Sequence, residues 1–136
     1  MKKAVECLLV LVIVFVGLTM SLAYAQEERK RPYPKAPFNL SRGELLYKQY
    51  CASCHGANGD GKGPAASALN PKPADFLNVT YMNARSRADH FKSIMNGKSG
   101  TAMPPWKGTL SEKDVWDIIT YIEHLFHQAK KTNKGH

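Results

Sequence analysis

Cys51-Ala52-Ser53-Cys54-His55 is the cluster whose residue types and spacing point most directly to chemistry. Two thiols three residues apart can each form a thioether with one vinyl group of a haem, and a histidine directly after them can ligate the iron. The chain start sets the compartment in which that chemistry operates. Lys2 and Lys3 precede an almost uninterrupted apolar run, Cys7 to Leu22, and Ala23-Tyr24-Ala25 has the small-x-small form of a cleavage site. These are the parts of an export signal. A secreted domain stapled by disulfides would carry more cysteines, spread along the chain, but beyond the leader only Cys51 and Cys54 remain. The motif therefore reads as covalent attachment of one haem through Cys51 and Cys54, with His55 as an iron ligand.

Three other chemistries use similar residues. A thioredoxin-like Cys-x-x-Cys needs a sheet-based context, and no alternating strand pattern appears here. A structural zinc site needs a further ligand pair, and His90, His124, His127 and His136 form none at finger spacing. A lone disulfide would leave His55 without a purpose. The leader has a rival reading too, an uncleaved anchor, but its apolar run is shorter than the roughly 20 residues of a spanning helix. Cys7 lies at the start of that run and so does not read as a lipidation site. The folded part is expected in the periplasm or on the outer face of the cytoplasmic membrane, with membrane association only if the leader is retained.

Composition fits one small domain. Of 136 residues, 22% are charged and 43% hydrophobic, which describes a globular chain and leaves no room for a two-domain enzyme with its own substrate cleft. Loss of Lys2, Lys3 and Glu6 with the leader lowers the formal charge from +8 to +7. A basic exported protein favours acidic partners, and its scattered lysines argue against nucleic acid.

The elements that position the motif follow from caps and period. Residues 26–39 carry Pro32, Pro34 and Pro37 among charges and read as an irregular arm. Ser41-Arg42-Gly43-Glu44 reads as a capping box. After it, Gly43, Leu46, Tyr47, Tyr50, Cys51 and Cys54 recur at helical spacing and predict one shared helix face. Gly56 to Pro73 is punctuated loop with space for one short turn near Ala65 to Leu69. Ser86-Arg87-Ala88-Asp89 opens a second helix that carries Phe91, Ile94 and Met95 and stops at Gly97. Ser111-Glu112-Lys113-Asp114 opens the third, with Val115, Ile118, Ile119, Ile122, Leu125 and Phe126 along one stripe.

A haem iron has a second axial position. Met82, Met95, Met103 and the four later histidines all follow His55 in sequence. Met95 belongs to a packing face, where methionine is a usual core filler, and His124 and His127 lie off the apolar stripe of the last helix. Met103 differs, because Gly100-Thr101-Ala102-Met103-Pro104-Pro105-Trp106 is a proline-stiffened loop.

Gly43-x-x-Leu46-Tyr47-x-x-x-Cys51-x-x-Cys54-His55, then Gly63-Pro64, Met103-Pro104 and Tyr121-Ile122, resembles the class I cytochrome c family. The resemblance spans about Leu40 to Phe126. It implies an all-α fold of three main helices and loops around one covalent haem c, with Gly43 and Tyr121 where the first and last helices cross. It implies His55 and Met103 as axial ligands, the Pro64 carbonyl as holder of the other His55 ring nitrogen, and Trp106 as support for the haem edge and propionates. The expected domains are a signal peptide over 1–25, a linker over 26–39, a cytochrome domain over 40–127 and a basic tail over 128–136.

Six-coordinate iron leaves no vacant position for substrate, so the expected function is single-electron transfer between redox proteins rather than catalysis. Lys62, Lys98 and Lys107 are the lysines expected to meet acidic docking surfaces. An electron-entry subunit of a larger oxidoreductase is the alternative, and an open-site haem peroxidase or sensor is the third reading.

Overall fold

The computed structural model describes residues 12–21 and 37–132. The chain divides into two units, residues 1–36 and 37–136. In the first, residues 12–21 form helix α1 with exposed apolar side chains. The cleavage site, most of the arm and the last four residues lie outside the described residues. Among the described residues no helix is long and apolar enough to cross a membrane.

The second unit contains α2 (Leu40–Tyr50), α3 (Ala52–His55), a 3-10 turn (Ala66–Ala68), α4 (Val79–Asn83), α5 (Arg87–Asn96) and α6 (Glu112–Thr132). No β-strand occurs among the described residues apart from an isolated bridge between Lys107 and Leu110. The 3-10 turn falls where the sequence left space for one. The last helix continues beyond Phe126 into the segment read as a tail.

The α2–α6 crossing is the frame. Gly43, Leu46 and Tyr47 are the buried residues of α2, and they meet a stripe on α6 that includes Val115, Ile118, Ile119 and Ile122. A Cβ at Gly43 would collide with the Asp117 carbonyl and press on Tyr121. The small residue is thus required by a close approach of two backbones, as the resemblance implies.

Charged side chains brace the crossing as well. Asp117, with no exposed side-chain surface, accepts the Asn39 N–H at 2.8 Å and pairs with Lys113 at 2.9 Å. Arg42 bonds Asp114 at 2.6 Å and 2.8 Å.

Two of the three expected helix starts are present. Ser86 and Asp89 cap α5 reciprocally, and Ser111 and Asp114 do the same for α6. The first is displaced: Asn39, in extended backbone, is the N-cap of α2 and accepts from the Arg42 N–H at 2.9 Å, so Ser41 lies inside the helix. The Asx cap starts the helix two residues earlier and gives the free first-turn N–H of Arg42 its acceptor, and the Asn39 backbone is already fixed by Asp117. The continuous helix expected through Cys54 also divides. Cys51, at φ −114°, closes α2 and precedes the separate turn α3.

Candidate haem site

The two thiols sit on that break. The Cys51 N–H donates to Tyr47 O at 2.8 Å, and the His55 N–H donates to Cys51 O at 2.9 Å. The fully buried Tyr47 donates its hydroxyl to Gly56 O at 2.8 Å, which ties the end of the motif to the core of α2. Burial pushes the Cys51 thiol up to about 12, so it is a protonated thiol at neutral pH. Cys51 and Cys54 are both free and half-buried.

His55 is held by the segment from Ala74 to Phe76. Its Nδ1 lies 3.1 Å from Ala74 O. A carbonyl can only accept, so the proton is on Nδ1 and the Nε2 lone pair is free to bind a metal. Burial lowers the His55 pKa, with the Ala74 bond opposing, and the neutral ring is the ligating form. Phe76 stacks on the imidazole with centroids 4.8 Å apart and planes 17° from parallel. The Phe76 N–H is in turn anchored to Gly59 O at 2.7 Å.

The Ala74 bond corrects the role expected for Pro64. The strand of loop around Pro64 folds back on the motif, with Gly61, Gly63 and Ala65 donating to the carbonyls of His55, Cys54 and Ser53. Pro64 itself is exposed, and the carbonyl on His55 Nδ1 is that of Ala74.

Met103 is presented from the loop after α5. Gly97, at φ +70°, ends the helix, and a Cβ there would lie 2.7 Å from Pro105 N and 2.9 Å from Met103 O. The loop is laced to the helix end: Lys98 N–H donates to Met103 O at 3.1 Å, Trp106 N–H to Ile94 O at 3.0 Å and Lys107 N–H to Met95 O at 3.1 Å. The last two satisfy last-turn carbonyls of α5 that have no partner within the helix. The Met103 N–H reaches Thr101 Oγ1 at 3.2 Å.

Cys51, Cys54, His55, Met103 and Trp106 line one cavity of about 420 Å³. This is the size range of small-molecule and cofactor sites, roughly 300–1,000 Å³. Trp106 packs edge-on to Tyr50 at 5.4 Å within its wall. Lys98 borders the cavity, whereas Lys62 and Lys107 do not. Lys72 borders it as well, its ammonium donating to Ala66 O at 3.2 Å and Ser67 O at 2.8 Å. Met82 and Met95 pack in or against the core and stay outside the cavity wall.

The donor set fits a covalently held haem: two thiols, a neutral imidazole with a free nitrogen, a thioether and a mainly apolar pocket. Sequence reasoning missed Ala74, Phe76 and His90 as parts of this site. A backbone carbonyl leaves no side-chain signal. His90 had one, since it precedes the buried Ile94 by one helical turn.

An all-helical fold with this cavity against its first cysteine turn defines a class I c-type cytochrome, and its cofactor is haem c. The chain belongs to the cytochrome family described as Cytochrome C oxidase, cbb3-type, subunit III, whose model matches residues 38–122. Cytochrome c55X of Pseudomonas aeruginosa is 38% identical over 82 residues, covering 57% of this chain and 58% of that protein. Cytochrome c6 of Bumilleriopsis filiformis is 30% identical over 84 residues, covering 62% of this chain and 88% of that protein. Other relatives are longer, and the chain spans 28%, 8% and 32% of three of them. A solved Kuenenia stuttgartiensis reducing HAO-like protein complex shares the fold with a TM-score of 0.56 and 24% identity, over 67% of this chain and 44% of that one.

Proposed function

We propose that this chain is an exported electron carrier, not an enzyme, that holds one haem c through Cys51 and Cys54 with His55 and Met103 as axial ligands. The observation that carries the reading is the shared cavity, which gathers both thiols, His55 and Met103 from separate parts of the sequence. When bound, the haem supplies one-electron exchange between Fe(II) and Fe(III). The residues do the rest. Ala74 and Phe76 fix the His55 ring, Met103 offers a neutral thioether that favours Fe(II) over Fe(III), and Trp106 and Tyr50 keep water from one wall. With His55 and Met103 both holding the iron, no position on it would be left for substrate.

In this reading residues 1–25 are a cleaved leader, 26–39 a linker, 40–127 the cytochrome domain and 128–136 a basic tail, and the protein works in the periplasm or on the outer face of the cytoplasmic membrane. Its partners are redox proteins with acidic docking surfaces, met by Lys98 and Lys72 at the cavity border and by the general positive charge. Electrostatic steering of this kind weakens steeply with salt.

The longer relatives favour a second reading, an electron-entry subunit of a larger oxidoreductase. Co-purification with a partner at high salt separates subunit from carrier. The test of the site is Met103→Ala: the haem stays covalently attached, and carbon monoxide binds the reduced iron of the variant readily but not that of the wild type. A wild-type protein that binds carbon monoxide equally well would make the site open, and the peroxidase or sensor reading would replace the carrier.

A further inference from the structure

His90 stands in the wall of the same cavity on α5. Only 7% of the residue is exposed, and its Nε2 is buried without a hydrogen-bond partner among the described residues. The ring is wedged between aromatic neighbours, edge-on to Phe76 at 6.2 Å and 81° and tilted against Tyr81 at 6.2 Å and 48°. Its position is thus fixed by packing that leaves its polar atom unsatisfied. An unpaired buried polar group costs about 1–3 kcal/mol, whereas an apolar residue would pack at such a place without that cost. Because His90 lines the cavity, a group that fills it can supply the partner for Nε2.

Haem narrows the choice. Its macrocycle is apolar at the rim and its four nitrogens face the iron, so its hydrogen-bonding groups are the two propionate carboxylates. We infer that His90 Nε2 donates a hydrogen bond to a haem carboxylate, an assignment that rests on the reading of this cavity as a haem site. The surroundings suit a neutral donor beside an anion. Burial and the nearby Arg85 disfavour the charged imidazole, with Asp89 opposing. Arg85 itself lies 3.9 Å over the Tyr81 ring and donates to Tyr81 O at 3.3 Å, which places a cation next to the same aromatic wall. His90 is then a positioning residue that anchors the cofactor at its carboxylate rim, remote from the thioethers, and draws charge away from that carboxylate.

The experiment compares haem-loaded wild type with His90→Leu and His90→Gln by redox titration against a one-electron reference couple and by resonance Raman of the propionate bending vibration. Deleting the donor leaves the carboxylate more negative, which favours Fe(III). His90→Leu should shift the equilibrium toward the oxidised form about threefold or more and move the vibration, while the Gln amide restores most of both. A Leu variant with wild-type potential and vibration would overturn the inference. If His90→Leu does not fold, the ferrous wild type decides alone: an NMR cross-peak between the His90 Nε2–H proton and the propionate methylene protons supports the bond, and its absence counts against it. An intact mass without haem in the wild type would instead overturn the proposed function.

Discussion

His55 and Met103 reach the same cavity from segments held in different ways. His55 is gripped by side chain and backbone together: Ala74 accepts from its ring, Phe76 covers its face, and the Tyr47 hydroxyl ties the end of its turn to the buried core. Met103 has the loop. Its position depends on backbone bonds from Lys98, Trp106 and Lys107 and on the positive φ of Gly97, and the prolines beside it are exposed. The first segment is part of the core, the second a strap laced to a helix end. Local opening should therefore occur on the methionine side first, because segments with few buried apolar contacts open at lower free energy.

The comparison can be broken at its strongest point. Phe76 is a core residue that touches His55, Tyr47, Tyr81 and His90 by ring contacts. Phe76→Ala should cost about 3–5 kcal/mol of global stability, read by denaturant unfolding. A loss below 1 kcal/mol would place the His55 segment on the same footing as the strap.

Gly97→Ala tests the other side. A left-handed φ in a residue with a side chain costs of order 1–3 kcal/mol, and the added carbon presses on the strap backbone. The expected result is a modest loss of global stability, together with carbon monoxide binding to the reduced iron faster than in wild type. If global stability falls while access stays closed, the strap is not the weaker wall.

Acid gives the smallest effect. Side-chain and backbone hydrogen bonds with Ser86 hold the Asp89 carboxyl below its ordinary range, so the charged form stabilises the start of α5. That contribution is fully present above an unfolded value near 4 and fades as pH falls through the lower folded value. Asp114 behaves likewise through Ser111 first and Arg42 second. Hydrogen exchange measured across this range should show α5 and its strap loosening slightly as pH drops, with Ser86→Ala weakening the dependence at α5 while the backbone N–H of residue 86 keeps part of it.

The sequence carried the attachment motif, the strap and two helix starts because each rests on local residue chemistry. Ser86 with Asp89 and Ser111 with Asp114 are complete caps within four residues, and Pro104-Pro105 stiffens its own neighbourhood. What it hid depends on distant residues. Asn39 outcompetes Ser41 as a cap because Asp117 fixes its backbone. The break at Cys51 lies inside an unbroken helical pattern. Ala74 replaces Pro64 because the Pro64 loop pairs with the motif carbonyls, a tertiary fact with no signature in Gly63-Pro64 itself. The helix Val79–Asn83 is short, and its one local signal is Asn78, whose side chain caps the Tyr81 N–H.

The bond from Asn39 to Asp117 joins residues 78 apart in sequence. In polymer terms, Cys51, His55, Phe76, His90 and Met103 all hang inside one loop that this contact closes. By chain statistics, closing a loop of that length costs roughly 4 kcal/mol of entropy, which the α2–α6 crossing has to offset before the cavity has a complete wall. Most of the residues that line the cavity thus lie between the two helices whose crossing closes that loop. A chain cut before α6 would retain both thiols, His55 and Met103, yet lose the closure that brings them together.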